Sequence, residues 1–239
     1  MSRRWTAILR PPLFHGGDET LTERLIAIGD IHGCRNALKT LLEAVDPGPQ
    51  DIVVTLGDYV DRGPDSAGVI DELIALGKRT RLVSLMGNHE EMMLEVVRHG
   101  EPHHNWLRYG GVETLESYNF DGGLDFLSPE HDRFFDSLGD YFVTDDYFFT
   151  HAAYDPGLPL EEQSTEMLRW YSLTEGVPPQ HISGKTAVVG HTANRHGEIL
   201  DVGHLLCIDT YCYGGGWLTA VDLKTRKYWQ ASDDGVLRS

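Results

Sequence analysis

Short, almost wholly apolar runs alternate with longer amphipathic ones through the first hundred positions. Arg24–Ile28, Asp51–Leu56 and Arg81–Met86 read as buried strands, and each runs into a glycine (Gly29, Gly57 and Gly87). Between the first two, Ala37, Leu38, Leu41, Leu42 and Val45 fall at helical spacing, and Asp46-Pro47-Gly48-Pro49 ends the run. A second helix is predicted from Ser66, as its cap, through Leu76, with Gly77 closing it. A third covers Glu90 to Arg98, with Met93, Leu94 and Val97 on one side. Strands this short and this apolar imply a mainly parallel sheet covered on both faces, hence an α/β start.

Residues 101–140 read as helical and irregular, with a helix from Pro129 to Leu138. Beyond them strands return: Asp140–Val143, Tyr147–Thr150, Thr186–Val189, Leu205–Asp209, Trp217–Val221 and Lys227–Gln230. A helix over Leu160–Trp170 interrupts them, and the expected pairing is largely antiparallel hairpins. No tract rich in Pro, Gly or Ser divides the chain. The expectation is an extension over residues 1–20, then one catalytic domain over residues 21–239 with a helical insert near residues 101–140.

Composition narrows the picture. The length of 239 residues suits one large domain, and 41% hydrophobic residues supply an ordinary core. The net charge of −17 repels nucleic-acid backbones, so no nucleic-acid partner is expected. The same field repels phosphorylated substrates, so a phosphatase would need local positive charge. Cys34, Cys207 and Cys212 have no framework or zinc spacing, which reads as reduced thiols. No apolar run reaches the ~20 residues of a membrane span. The apolar patch at Trp5–Leu9 is broken by Arg10, Pro11 and Pro12, too soon for a signal peptide. A cytoplasmic protein without a membrane partner is expected; its oligomeric state stays open.

The chemistry sits at the ends of the strands. Gly29-Asp30-Ile31-His32-Gly33, Gly57-Asp58-Tyr59-Val60-Asp61-Arg62-Gly63 and Gly87-Asn88-His89-Glu90 each follow an apolar run. In a parallel sheet that places them at the ligand-binding edge. An extended Asp30-x-His32 pair would point both side chains at one ion. Asp58, in the middle position, can bridge. His151 and His191 stand at the ends of two later strands. A buried, hydrogen-bonded histidine explains either one taken alone; five such loops together point to metal. Carboxylate, imidazole and amide oxygen suit Mn²⁺ first, with Fe²⁺ or Zn²⁺ also compatible. Two such ions ~3.5–4 Å apart can polarise a phosphoryl group and hold a bridging hydroxide as nucleophile.

With these blocks the chain resembles the metallophosphoesterases, and within them the PPP-type serine/threonine phosphatases of the bacterial and phage-like branch. The family pattern GDxHG, GDxVDRG and GNHE is matched without substitution, and the likeness runs from about residue 24 to about residue 222. It implies a β-sandwich of two mixed sheets flanked by helices. Asp30, His32 and Asp58 would hold one ion; Asp58, Asn88, His151 and His191 the other. His89 would protonate the leaving oxygen, Asp61 would orient it, and Arg62 would clamp the phosphate. The family's second phosphate-binding arginine usually follows a tryptophan. Here Arg169 precedes Trp170, and Arg169 is the candidate, with a helix-surface arginine as the other reading.

The activity implied is hydrolysis of phosphoserine and phosphothreonine in proteins, with phosphotyrosine and small aryl phosphates as further substrates. A diadenosine tetraphosphate hydrolase is the alternative within the hydrolases. That branch usually lacks the aspartate before the arginine, which this chain has as Asp61. An inactive phosphate-binding module is the alternative of another class, and nothing in such a module requires His89 with Asp61.

Overall fold

The computed structural model describes residues 23–238, so the proposed extension lies outside the described residues. Two five-stranded sheets form a sandwich flanked by helices. The first sheet has the order β10-β9-β1-β2-β3. Its strands are β1 (Leu25–Ile28), β2 (Ile52–Thr55), β3 (Arg81–Ser84), β9 (Leu218–Asp222) and β10 (Tyr228–Ala231). β1, β2 and β3 are parallel; β9 lies antiparallel beside β1, and β10 antiparallel beside β9. The second sheet has the order β4-β5-β6-β8-β7. It is built from β4 (Tyr141–Val143), β5 (Tyr147–Thr150), β6 (Thr186–Val189), β7 (Leu200–Asp201) and β8 (Leu205–Cys207).

Alternation along each strand sorts its side chains between two layers. Leu25 and Ala27 of β1 face Phe149, Val188 and Leu206 across the sandwich. Ile26 and Ile28 face the other way, onto α1 (Arg35–Val45), α2 (Ser66–Gly77) and α3 (Asn88–His99). Phe148, Ala187 and Val189 turn outward from the second sheet onto Tyr154, Leu160 and Leu173.

The second sheet departs from the expected hairpins: β5, β6 and β8 run parallel, and within it only β4 and β7 are antiparallel to their neighbours, whereas β9 and β10 pair as the expected antiparallel hairpin. The long excursions between β5, β6 and β8 return each strand in the same direction. The expected helix over Leu160–Trp170 is a 3-10 turn at Leu160–Glu162 followed by the short α7 (Thr165–Arg169). Asp65, not Ser66, caps α2, accepting from the Gly68 N–H. Ser66 lies one residue inside, and its hydroxyl is taken by Asp61 and Thr114.

The segment after α3 folds as α4 (His104–Trp106), a π turn at Leu107–Gly111, α5 (Val112–Ser117) and, after a loop, α6 (Pro129–Asp136). The π turn brings the Gly110 carbonyl against Arg62, whose N–H donates to it at 3.2 Å. Gly110 has a φ of +110°, and a Cβ there would collide with the Arg62 backbone nitrogen.

Candidate metal centre

The carboxyl ends of β1, β2 and β3 meet those of β5 and β6 at one edge of the sandwich. Asp30 and His32 follow β1, and Asp58, Asp61 and Arg62 follow β2. Asn88 and His89 open α3 after β3, while His151 and His191 follow β5 and β6. All except Arg62 and His191 are buried.

The loops are wound tightly. His32, Asp58, Asp61, Arg62 and His191 all have positive φ, five of the nine non-glycine residues that do so among those described. Such backbone costs on the order of 1–3 kcal/mol per residue and persists where its surroundings enforce it. Part of that enforcement comes from Glu90. Its buried carboxylate accepts N–H bonds from Tyr59 (2.7 Å), Asp58 (2.8 Å), Gly87 (3.0 Å) and Val60 (3.1 Å). Gly87 is needed as glycine, because a Cβ there would strike the Asp58 carboxylate.

Three imidazoles are oriented through one ring nitrogen each. His32 Nδ1 donates to the Val60 carbonyl at 2.9 Å, His151 Nδ1 to Leu56 at 2.7 Å, and His191 Nε2 to Trp170 at 3.1 Å. A carbonyl can only accept, so in each neutral ring the other nitrogen presents a lone pair. Those lone pairs face oxygens. His32 Nε2 is 3.4 Å from Asp58 Oδ2, and His151 Nε2 is 3.4 Å from Asp58 Oδ1. His151 Nε2 and His191 Nδ1 lie 3.1 and 3.0 Å from Asn88 Oδ1.

Two sets result, each with potential donor atoms within 4.8 Å of one another: His32, Asp58 and His89, and Asp58, His151 and His191. Asp58 belongs to both, one oxygen toward each. Lone pairs converging on a carboxylate repel one another unless a cation lies between them, so the donor set fits a pair of divalent ions. Asp30 adds to this fit: its Oδ1 is buried without a hydrogen-bond partner, while Oδ2 accepts the His191 N–H at 2.9 Å. The Asp30-x-His32 pair is not extended as expected. The chain turns at His32, because the Ile31 and His32 N–H groups both donate to the Asp58 carbonyl.

Electrostatics agrees with the geometry. Burial lowers the pKa of His32 and of His151 and brings His191 down to about 4, so these rings keep their lone pairs at neutral pH. Burial also raises Asp30, with Asp209 and Asp58 adding to it. For Asp58 burial works in the same direction, but the surrounding histidine rings outweigh it and hold the carboxyl well below its ordinary range. His89 differs from the other rings. Burial opposes its cation, yet Asp58 and Asp61 outweigh burial and raise its pKa.

His89 Nδ1 lies 2.7 Å from Asp61 Oδ2, and the His32 and His89 rings meet edge to face with centroids 4.7 Å apart. Arg62 contacts both His32 and Tyr213, whose rings meet edge to face with centroids 4.8 Å apart: its Nη1 is 3.1 Å from His32 Nε2, and its guanidinium lies 4.5 Å from the Tyr213 ring centroid. Arg169 is held by Asp140 and by Glu91, the latter at 3.3 Å, and its Nε has no hydrogen-bond partner. The neighbouring Trp170 donates its indole N–H to the same Glu91, at 2.7 Å.

Sequence reading missed Glu90, Tyr213, Trp106 and Thr114. Glu90 stood inside a quoted block with no role given to it. Trp106 and Thr114 stand in a stretch, Trp106–Tyr118, that resembles the bacterial and phage-like branch, but nothing in it assigned them a role; Tyr213 reaches the site from a distant segment that no local pattern marks.

The family model described as calcineurin-like phosphoesterase matches residues 23–219. Serine/threonine-protein phosphatase 1 of Salmonella typhimurium is 41% identical over 85 residues, 35% of this chain and 37% of that protein. The symmetrical bis(5'-nucleosyl)-tetraphosphatase of Janthinobacterium sp. is 42% identical over 71 residues, 29% of this chain and 25% of that protein. Each match therefore spans well under two thirds of the relative's own length. A crystal structure provisionally described as a diadenosine tetraphosphatase superposes with a TM-score of 0.68 at 23% identity, covering 89% of this chain and 94% of that one. At that identity the likeness shows the fold.

Proposed function

This chain belongs to the calcineurin-like phosphoesterases, and from that premise we propose that it hydrolyses phosphoserine and phosphothreonine monoesters in proteins, with phosphotyrosine and small aryl phosphates as further substrates. The family is one of phosphoester hydrolases with a dinuclear divalent metal centre. In this chain Asp30, His32 and Asp58 would hold one ion, and Asp58, Asn88, His151 and His191 the other; Mn²⁺ is the proposed ion. When bound, such ions supply Lewis acidity toward a phosphoryl oxygen and acidify a water.

The protein's own groups do the rest. Arg62 offers a planar fork matched to two phosphate oxygens, and its charge offsets locally the repulsion of a chain of net charge −17. Arg169 is a second candidate for that task, provided a substrate phosphate competes with Asp140 and Glu91 for it. His89 gives a proton to the departing oxygen as the P–O bond breaks, so the alcohol leaves neutral. Asp61 accepts from Nδ1 and so fixes the ring and favours its charged form.

The observation that carries the reading is that His89, although its ring lies in one of the two donor sets that share Asp58, has its Nδ1 committed to Asp61 at 2.7 Å. A seryl alkoxide is a poor leaving group and needs a proton donor. A nucleotide leaving from an anhydride is already a weak base and needs one far less. The pair therefore supports ester over anhydride hydrolysis. Tetraphosphate hydrolysis is the second reading, favoured by the likeness to the Janthinobacterium enzyme.

A substrate panel with added Mn²⁺ tests the choice. Phosphoserine peptide, 4-nitrophenyl phosphate and diadenosine tetraphosphate would be compared by kcat/KM. The expected result is at least tenfold preference for the phosphopeptide over the dinucleotide. The reverse order overturns the proposal in favour of the second reading.

A further inference from the structure

Asp61 is bound mostly by residues that do not belong to its own loop. The Trp106 indole N–H donates to both of its oxygens, at 2.9 Å to Oδ1 and 3.1 Å to Oδ2. The Thr114 hydroxyl lies 2.7 Å from Oδ1, and the Asp61 backbone N–H donates to that same hydroxyl at 2.8 Å. Ser66 Oγ is 3.1 Å from Thr114 Oγ1. Trp106, Thr114, Ser66, Asp61 and His89 are all buried, so no water competes for these bonds.

A donor inventory fixes the direction of each bond. An indole N–H only donates, and a threonine hydroxyl has a single proton. With the Asp61 N–H aimed at the Thr114 oxygen, the hydroxyl proton goes to Oδ1. Oδ1 thus faces two donors and is left purely an acceptor. The remaining direction of the carboxylate, along Oδ2, is aimed at His89 Nδ1. The carboxylate cannot rotate away without breaking bonds to two helices, since Trp106 ends α4 and Thr114 lies in α5. The π turn between them grips the next residue as well, through the Gly110 carbonyl on the Arg62 N–H.

We infer that Trp106 and Thr114 are positioning residues of the reaction. They hold Asp61 as an acceptor in one orientation, and through it hold His89 with its proton on Nδ1 and its other nitrogen free to serve the leaving oxygen. The helical segment 104–117 is then part of the proton-donor assembly. This rests on the assignment of His89 as proton donor.

The test uses the leaving group. Thr114→Val keeps the shape and removes the hydroxyl; Thr114→Ser restores it; Trp106→Phe keeps an aromatic ring without the N–H. Each is assayed as full-length, Mn²⁺-loaded protein on a phosphoserine peptide and on 4-nitrophenyl phosphate, beside His89→Asn. Loss of proton donation weighs on the poor alkoxide and spares the good nitrophenolate. Thr114→Val and Trp106→Phe are expected to lower kcat on the peptide about tenfold or more, within the ~10²–10⁴-fold span of acid–base catalysis. On nitrophenyl phosphate the loss stays under about threefold by the same argument, with KM and bound metal unchanged. Thr114→Ser returns the ratio of the two rates to the wild-type value, which a purely structural role would not require.

Equal losses on the two substrates in the Trp106 and Thr114 variants, with His89→Asn still losing more on the peptide than on nitrophenyl phosphate, overturn the positioning role alone. If His89→Asn itself fails to discriminate between the substrates, the proton-donor assignment falls and the positioning role falls with it.

Discussion

His89 Nδ1 is 2.7 Å from Asp61 Oδ2, both groups are buried, and neither oxygen of that carboxylate faces solvent. The bond makes Nδ1 a donor and decides what Asp61→Asn would do. The amide would keep its oxygen toward Trp106 and Thr114 and turn its NH₂ toward His89, forcing the ring proton onto Nε2 in a neutral ring. The charged, donating form is lost. Turnover of a phosphoserine peptide is expected to fall about 10²-fold or more, while bound metal stays at the wild-type level. Elemental analysis beside steady-state kinetics checks both halves.

Glu90 gathers four N–H groups from two loops onto one carboxylate, including that of Asp58. Glu90→Gln leaves a single acceptor oxygen and adds two donors where donors already crowd. Stability should fall by about 1–3 kcal/mol, the cost of buried donors left unpaired. The Asp58 loop should also loosen, weakening metal affinity about 10–100-fold, as when groups supporting a metal ligand are lost. Thermal unfolding and chelator competition measure the two effects separately.

Arg62 lies over Tyr213, with Nη1 3.1 Å from His32 Nε2. Arg62→Lys keeps the charge but loses the fork and much of the stacking. The expected outcome is about a tenfold or greater loss in kcat/KM on 4-nitrophenyl phosphate, and weaker inhibition by inorganic phosphate. Competition by phosphate in the variant is the direct check.

Far from the site, Asp51 accepts bonds from Arg24 and from the Gly48 N–H. Burial alone would raise its carboxyl; the bond from the Arg24 side chain, then the backbone bonds, reverse this and hold it below the ordinary range. A carboxyl with a depressed folded pKa stabilises the protein above its unfolded pKa and loses that contribution as pH falls through the folded value. Asp51→Asn should cost about 1–2 kcal/mol near pH 7, since Arg24 is partly exposed and screened. The gap from wild type should close below about pH 4. Denaturation curves at several pH values give the comparison.

Much of the first sheet was legible because its signals are local. The runs at Leu25–Ile28, Ile52–Thr55 and Arg81–Ser84 are apolar, end in glycine, and alternate with amphipathic helices. In the second sheet β4, β5, β6 and β8 were legible as strands, but β7 and the parallel pairing were not. Strands as short as Leu205–Cys207 and Leu200–Asp201 say little about their neighbours, and the β5-β6-β8 order is decided by packing across the sandwich. The same division holds at the site. His151 and His191 were visible as histidines after buried strands. Trp106 and Thr114 bond a residue 45 and 53 positions away, and only folding brings them there. Ser66 misled for a related reason. It is a good capping residue whose hydroxyl is needed elsewhere, so Asp65 caps the helix instead.

We propose that Asp58 joins two donor sets into one dinuclear hydrolytic centre. The decisive measurement strips the purified protein of metal and titrates Mn²⁺ while following both bound metal and hydrolysis of 4-nitrophenyl phosphate, in wild type and in Asp58→Asn. The stripped protein should be inactive, binding should saturate at two ions per chain with activity restored as they bind, and the variant should bind both ions more weakly. Full activity after stripping, saturation at a single ion, or a variant that binds two ions as tightly as wild type would rule out a dinuclear centre joined by Asp58.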